Sequence, residues 1–314
     1  SGSGVAIGKG ALGANTTGAG NTAIGTSALL TNTTASNNTA VGLNSLLYNT
    51  TGSGLVAVGA ASLDANTTGN YNTALGQGAL GANTTASNNT GVGYGALLVN
   101  STGASNTAVG VNALTANTTG SYNTAVGYDA LTAATTATNN VAVGWQAGVA
   151  TTDGASNTFI GKYSGASNTT GDYNVALGAN ALDASSTADS NVAIGYSALS
   201  ANTTGTLNTA VGSSAGASIT TGHNNTAIGV LALATNSTSD ANTAVGSYAL
   251  NVNTAANNTA VGRLALYANT TGSENTAVGQ GALDANTTAA GNTAVGSDSL
   301  TTNSTGASNT GLGK

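Results

Sequence analysis

Few side chains in this 314-residue sequence are of types that do chemistry. His223 is the only histidine, cysteine is absent, and the ten acidic residues are scattered along the chain. A metal site needs several converging ligands, and glycoside hydrolysis needs two carboxylates that face each other. Asp64, Asp183 and Asp284 share one place in a repeat, but several repeats separate each from the next. The sequence therefore predicts no catalytic residue, no metal and no cofactor, and hence no enzyme.

One tripeptide is a candidate for covalent modification. Asn-Thr-Thr matches the acceptor pattern for N-glycosylation, although it is also favourable turn chemistry, which is the preferred interpretation. Hexose increments in the mass of the intact chain would support glycosylation instead. The tripeptide begins at Asn15, Asn32, Asn49, Asn66, Asn83, Asn117, Asn202, Asn269 and Asn286.

Four aromatic residues are candidates for ligand contact. They are Tyr94, Tyr128, Trp145 and Tyr196, and each directly follows a glycine. Exposed aromatic side chains favour binding, because a large apolar surface is joined to a polar group. Covering the surface of the protein or packing between copies of the chain explains them equally well.

Composition excludes several classes of function. Only four residues are basic, so the cationic patch that nucleic acid requires is missing. No apolar run reaches 18 residues, and no membrane-spanning segment is therefore expected. Without cysteine there is no disulfide framework.

A repeat of 17 residues covers the whole chain, with the consensus N-T-A-V-G-x-x-A-L-x-A-N-T-T-G-x-x. We number its positions 1 to 17 from the first Asn. Position 5 is Gly in all nineteen copies, whereas position 9 is Leu in fifteen of eighteen and position 12 is Asn in fourteen of eighteen. The array is interpreted as one continuous domain over residues 1–314, with eighteen coils plus a fragment. Because it starts and stops inside the repeat, a segment of a longer protein is expected.

The period of 17 residues predicts an all-β fold, since helical hairpin repeats need about twice that length. We expect a β-solenoid with one coil per repeat, a short strand at positions 2–5, a second short strand that starts with Ala-Leu at positions 8 and 9, and turns at Asn-Thr-Thr-Gly. The Gly at position 5 is expected at a corner or at a close backbone approach. One copy is a residue short in its second turn, before Asn258, and should keep the strands in register.

Alternation along the strand predicts which positions face inward. Positions 2 and 4 (Thr or Val, then Val, Ile or Leu) are expected to fill the coil together with Leu at position 9. Ala and Gly at positions 3 and 5 would then leave a surface small enough for a neighbouring chain. Asn at position 1 should stack in a ladder. The loss of Leu at Gly148 and Gly165 predicts a local change of coil shape between residues 145 and 173.

The repeats resemble the head repeats of YadA-type trimeric autotransporter adhesins and similar repeats in bacteriophage tail fibres. The motifs that carry the resemblance are N-T-A-V-G-x-x-A and N-V-A-I-G-x-x-A, the latter running from Asn191 to Ala198. The resemblance implies a left-handed parallel β-roll, three chains packed side by side, and a surface fibre that attaches to host or matrix ligands. The repeat here is longer, with the extra residues in L-x-A-N-T-T-G.

Three functions are weighed from the sequence. The first is a structural and adhesive fibre, extracellular on a cell surface or part of a virion, that associates with itself as a homotrimer or filament. The second is a monomeric solenoid that binds ice or carbohydrate, for which a row of Thr at position 2 is the motivating feature. The third is a fibre-borne depolymerase with an active site between subunits, which the scattered acidic residues make the weakest hypothesis.

Overall fold

The computed structural model describes residues 4–314, which form two compact units, one ending at Asn157 and one spanning Thr158–Lys314. Each unit is a β-solenoid with one coil per repeat, which confirms the all-β prediction. Within the described residues every coil contributes one strand of three residues, at positions 2 to 4. No helix occurs in this part of the chain.

The strands of the first unit are β1 Val5–Ile7, β2 Thr22–Ile24, β3 Thr39–Val41, β4 Val56–Val58, β5 Thr73–Leu75, β6 Thr90–Val92, β7 Thr107–Val109, β8 Thr124–Val126 and β9 Val141–Val143. Those of the second unit are β10 Thr158–Ile160, β11 Val175–Leu177, β12 Val192–Ile194, β13 Thr209–Val211, β14 Thr226–Ile228, β15 Thr243–Val245, β16 Thr259–Val261, β17 Thr276–Val278, β18 Thr293–Val295 and β19 Thr310–Leu312.

Within each unit, successive strands pair in parallel with equivalent positions opposite each other. The 16-residue coil keeps this register, since Thr243 lies opposite Thr259. The missing residue is therefore absorbed in the turn, as predicted. A one-residue slip in the strand would instead have exchanged the inner and outer faces.

The faces of the strand are the reverse of the prediction. In β7, Ala108 is fully buried, whereas Thr107 is half-buried and Val109 is 36% exposed. The interior of a coil already holds Leu114 and two buried Asn side chains, Asn106 and Asn117. A methyl group at position 3 fits the remaining space, and the longer side chains at positions 2 and 4 therefore face outward.

The second strand predicted at positions 8 and 9 is also wrong. That part of each coil is a series of turns, and Leu114 at position 9 has a left-handed backbone with φ +51°. Its N–H donates to the carbonyl of Ala130 in the next coil, 3.0 Å away. A left-handed Leu costs about 1–2 kcal/mol, but burying its side chain contributes about 1.5–3 kcal/mol. The burial of the Leu side chain thus offsets the cost of a left-handed backbone, a conformation that a β-strand does not contain.

Where position 9 is Gly, the backbone stays the same and other side chains fill the space. Gly165 has φ +57°, and a Cβ on it would lie 2.4 Å from the ring of Phe159, which is buried at position 3. Gly216 has φ +58° and faces the buried Ile219, which replaces Asn at position 12. In the first unit, Gly148 likewise keeps φ at +58°. The prediction of a local change of coil shape is therefore wrong. The backbone conformation is kept, and only the side chains that fill the interior change.

Gly at position 5 is both a corner and a close approach. Gly110 has φ +137°, and a Cβ there would lie 2.4 Å from the carbonyl oxygen of Gly127 in the next coil. Real Cβ atoms do not approach a backbone oxygen so closely. The contact therefore explains why no other residue occupies this position.

Two columns of Asn hold the coils together from inside. At position 1, Asn106 Oδ1 accepts the N–H of Asn123 in the next coil at 2.9 Å. At position 12, Asn117 Nδ2 donates to Oδ1 of Asn100 in the preceding coil at 2.7 Å. Asn106 and Asn117 also both donate to the carbonyl of Gly120, at 2.8 and 2.9 Å. The predicted ladder at position 1 is confirmed, and a second one accompanies it.

The ladder at position 12 has gaps, and most of the unpaired buried atoms lie at them. Asn117 Oδ1 has no hydrogen-bond partner where Ala134 follows, and neither does Asn202 Oδ1 where Ile219 follows. Asn286 Oδ1 is unpaired as well, and Asn303, which follows it in the ladder, donates to the carbonyl of Gly306. Unpaired buried polar groups cost about 1–3 kcal/mol each, so the gaps are weak points of the stack.

We predict that Ala134→Asn stabilises the protein. The new Nδ2 would donate to Asn117 Oδ1 and to the carbonyl of Ala137, which receives only one amide, from Asn123 at 2.7 Å. The expected gain in the free energy of unfolding is about 1 kcal/mol, measured by urea denaturation. Ala133→Asn, one residue away and half-buried, is the control and should have little effect. Equal effects of the two substitutions would contradict the ladder.

We predict that Gly110→Ala destabilises the first unit by at least about 2 kcal/mol, because the methyl group meets the backbone of Gly127 in a left-handed corner. Gly95→Ala is the matched control. Gly95 is also left-handed, but its nearest neighbour is the flexible amide of Asn112, and Ala61 adopts the same conformation at the equivalent position. Thermal unfolding of the two variants measures the difference, and similar melting temperatures would refute the close contact.

Candidate interaction surface

The outer sides of the strands form a surface that we call the strand face, made of the side chains at positions 2 and 4. Position 2 is Thr or Val and is mostly half-buried, and position 4 is Val, Ile or Leu and is half-buried or exposed. Because the strands are in register, each position forms a row along its unit with a spacing of about 4.8 Å. A row that is mostly Thr, interrupted by Val, thus lies beside one aliphatic row.

The strand face carries no charged residue at either position. Leu75 in the first unit and Leu177 in the second are examples of its exposed aliphatic side chains. Exposed apolar side chains scattered singly are normal, but a contiguous row of them marks an interaction site. The sequence predicts these residues inside the coil, whereas the structure places them on its outer surface.

The four candidate aromatic residues lie on the surface at position 6, next to the strand face. Tyr94, Tyr128 and Trp145 are 58%, 48% and 40% exposed in the first unit, and Tyr196 is 60% exposed in the second. Tyr128 and Trp145 are on neighbouring coils, whereas Tyr94 lies two coils before Tyr128. The structure brings three of the four into one row, and ligand contact by them stays a prediction.

A polar row beside these aromatic residues was not identified from the sequence. Position 7 holds Asn112, Asp129 and Gln146 on three consecutive coils. Asn112 Nδ2 donates to Asp129 Oδ1 at 3.2 Å, and Gln146 Nε2 donates to Asp129 Oδ2 at 3.3 Å. The available signal was the succession of an amide, a carboxylate and an amide at one position of the repeat.

The candidate glycosylation residues belong to the interior ladder at position 12. Asn15 is half-buried, and the other eight are fully buried, namely Asn32, Asn49, Asn66, Asn83, Asn117, Asn202, Asn269 and Asn286. Their Nδ2 atoms donate to the backbone within the coil, as Asn66 does to the carbonyl of Gly69 at 3.1 Å. A glycan on Nδ2 would be incompatible with this ladder, which gives Asn a structural role at these positions.

His223 and Asp240 take part in local hydrogen bonds. The N–H of Thr206 donates to His223 Nδ1 at 3.0 Å, and the N–H of His223 donates to Asp240 Oδ1 at 2.7 Å. These contacts join equivalent turns of successive coils. Within residues 4–314, no group of three or more His, Cys, Asp or Glu side chains is placed to hold a metal ion.

Comparison with known proteins adds no identity. No family model matches the chain, and no curated protein does either. Among residues 4–314, no helix has the length and apolar character needed to cross a bilayer.

Two acidic residues give a prediction about pH. Partial burial raises the pKa of Asp64 and of Asp183 above the ordinary value of an aspartate. Hydrogen bonds from the backbone N–H of the same residue and of the next one lower the pKa, but the effect of burial is larger. A raised pKa in the folded state means that protonation favours folding. The stabilisation that comes from protonating these two carboxylates is therefore absent at neutral pH and grows as the pH falls through the folded-state pKa.

We predict that Asp64→Asn stabilises the first unit at pH 7 and that its advantage over the unmodified chain disappears at acidic pH. The amide removes the carboxylate that burial disfavours. Urea denaturation of both proteins between pH 7 and pH 3 measures the difference. A constant difference across that range would show that the effect does not depend on ionisation of Asp64.

Proposed function

We propose that the chain is a structural and adhesive repeat fibre, part of an extracellular surface appendage or of a virion tail fibre, and that it performs no catalysis. Its strand face packs against copies of the same chain, in a side-by-side trimer or a filament. The observation that carries this proposal is the exposed aliphatic row at position 4, repeated in register along each unit.

The chemistry of the strand face suits a second copy of itself. The face carries no charge, so two copies meet without like-charge repulsion or the burial of an unpaired ion. Burying apolar surface contributes about 25 cal/mol per Å², and the same gain recurs at each coil along the row. A repeated surface also extends with the number of coils, which suits a fibre.

The resemblance to the heads of YadA-type adhesins and to phage tail-fibre repeats supports the same proposal. It is the basis for the extracellular location and for host-surface or matrix ligands as partners. The internal structure is consistent with a load-bearing role, because each coil is bonded to the next by the ladders of Asn106 and Asn117 and by the corner at Gly110.

Ice binding is the second candidate, and the orientation of the strand favours it. Thr at position 2 faces outward with Val at position 4, as Thr107 and Val109 do in β7. A regular row of hydroxyl and methyl groups could order water, and this requires no contact between copies. A chain that binds ice would therefore expose the same face as a monomer.

We predict that Val92→Lys, Val109→Lys and Val126→Lys, combined in one chain, convert the assembly to monomers. Each change places a charge in the aliphatic row of three consecutive coils, where association would desolvate it. Sedimentation equilibrium gives the mass, and circular dichroism verifies folding. The expected result is a trimer or larger species for the unmodified chain and a monomer for the variant.

The matched control is a chain with Thr85→Lys, Thr102→Lys and Thr119→Lys. These residues are exposed in the turn at position 14, so the control adds the same charge away from the strand face and should keep the mass of the assembly. A monomeric unmodified chain would reject self-association. Inhibition of ice recrystallisation by that monomer, lost on replacing the Thr row, would then establish the second candidate.

A further inference from the structure

A patch in the first unit differs in chemistry from the rest of the position-6 row. Four consecutive coils place Tyr94, Val111, Tyr128 and Trp145 there, and each side chain is 40–58% exposed. Elsewhere position 6 holds mainly polar, small, aliphatic and basic residues, for example Gln77, Ala60 and Arg263, and the single aromatic residue Tyr196 lies in the second unit. The four side chains make one apolar and aromatic strip that spans three coil spacings.

A hydrogen-bonding row accompanies the strip at position 7. The Asp129 carboxylate is held between the amides of Asn112 and Gln146, at 3.2 and 3.3 Å. Each carboxylate oxygen accepts one of these bonds and keeps lone pairs for further donors, and each amide group has a second N–H. These polar groups are half-buried, and their orientation is fixed by their bonds to each other.

We propose that this patch, Tyr94 to Trp145 with the row of Asn112, Asp129 and Gln146, binds an uncharged linear glycan of the β-1,4-linked type. The glycan lies along the stack of coils, with its sugar rings over the aromatic strip and its hydroxyls bonded to the polar row. The proposal names the ligand of the adhesive function proposed above and rests on that part of it, but it does not require self-association.

The chemistry of the patch selects a sugar over other ligands. Sugar rings have apolar C–H faces that stack on aromatic side chains, while their hydroxyls donate to carboxylates and both donate to and accept from amides. The patch has one carboxylate and no cation, which disfavours anionic polymers and nucleic acid. An apolar peptide would cover the remaining lone pairs of the Asp129 carboxylate without supplying a further donor.

The spacing of the patch selects a straight, repeating chain. Neighbouring coils are about 4.8 Å apart, close to the length of one sugar residue in an extended chain. Tyr128 and Trp145 would therefore contact neighbouring sugars, and Tyr94 a sugar two residues further on. A curved α-1,4-linked chain would leave the strip after one or two residues.

The intrinsic fluorescence of Trp145 tests the proposal directly, since it is the only tryptophan in the sequence. Cellohexaose, a linear β-1,4-linked chain of six glucose residues, is titrated into the full chain. Maltohexaose, its α-1,4-linked isomer, and free glucose are the comparison probes. We expect a saturable change with cellohexaose and at least tenfold weaker binding of the other two.

Two variants separate the patch from aromatic residues in general. Tyr128→Ala should weaken cellohexaose at least tenfold, because it removes the central ring of the strip. Tyr122→Ala should leave binding unchanged, since Tyr122 is more exposed than Tyr128 (65% against 48%) but lies six residues earlier, in a turn at position 17. Circular dichroism verifies that both variants fold. Asp129→Asn, which keeps the shape of the side chain, should weaken binding without affecting folding.

Two results would overturn the glycan proposal. One is the absence of any saturable response to cellohexaose up to its solubility limit. The other is a change in the mass of the assembly on Tyr128→Ala with cellohexaose binding unaffected, which would assign the strip to contacts between copies. Failure of self-association with intact sugar binding would instead reject only the assembly proposed above.

Discussion

The structure depends on one constraint, the direct stacking of identical backbone corners. Gly110 lies against the carbonyl of Gly127 at a distance that excludes any side chain, and the same contact recurs at position 5 along each unit. Once corners stack so closely, every other position of the repeat must also lie above its equivalent. The Asn columns, the Leu column and the parallel strands follow, because each is a set of equal side chains held at one spacing.

Much of this architecture was predictable from the sequence, because it follows from the spacing of the repeated residues. The 17-residue period fixed one coil per repeat, the invariant Gly indicated the corner, and Asn at position 1 indicated a ladder. Which side chains of the strand face inward was not predictable in the same way. Ala108 and Val109 are neighbours in the strand and point to opposite faces, and hydrophobicity alone predicts that Val109 faces inward. The space left beside Leu114 and Asn117, however, admits only the smaller side chain of Ala108. The left-handed backbone of Leu at position 9 was likewise not predictable, because packing between coils overrides the preference of Leu for negative φ.

The division between inside and outside explains how the chain combines repetition with variation. Inside a coil, substitutions occur in compensating pairs, as Phe159 with Gly165 and Ile219 with Gly216 show. Outside, positions 6 and 7 vary freely without changing the backbone, so a patch such as that around Tyr128 can be placed on an invariant scaffold. The candidate surfaces were only partly predictable, because the aromatic row was visible in the sequence while the partners of Asp129 required the stacking of coils.

The central claim is that Ala faces inward and Val outward on the strand, because the strand face and its proposed partners both depend on it. The chain has no cysteine, so single Ala108→Cys and Val109→Cys variants report their own environment. The measurement is the reaction of each thiol with a maleimide, or its disulfide formation with a second copy, under native conditions. The account predicts that the thiol of Val109→Cys reacts and that the thiol of Ala108→Cys reacts only after unfolding. The opposite order would contradict it.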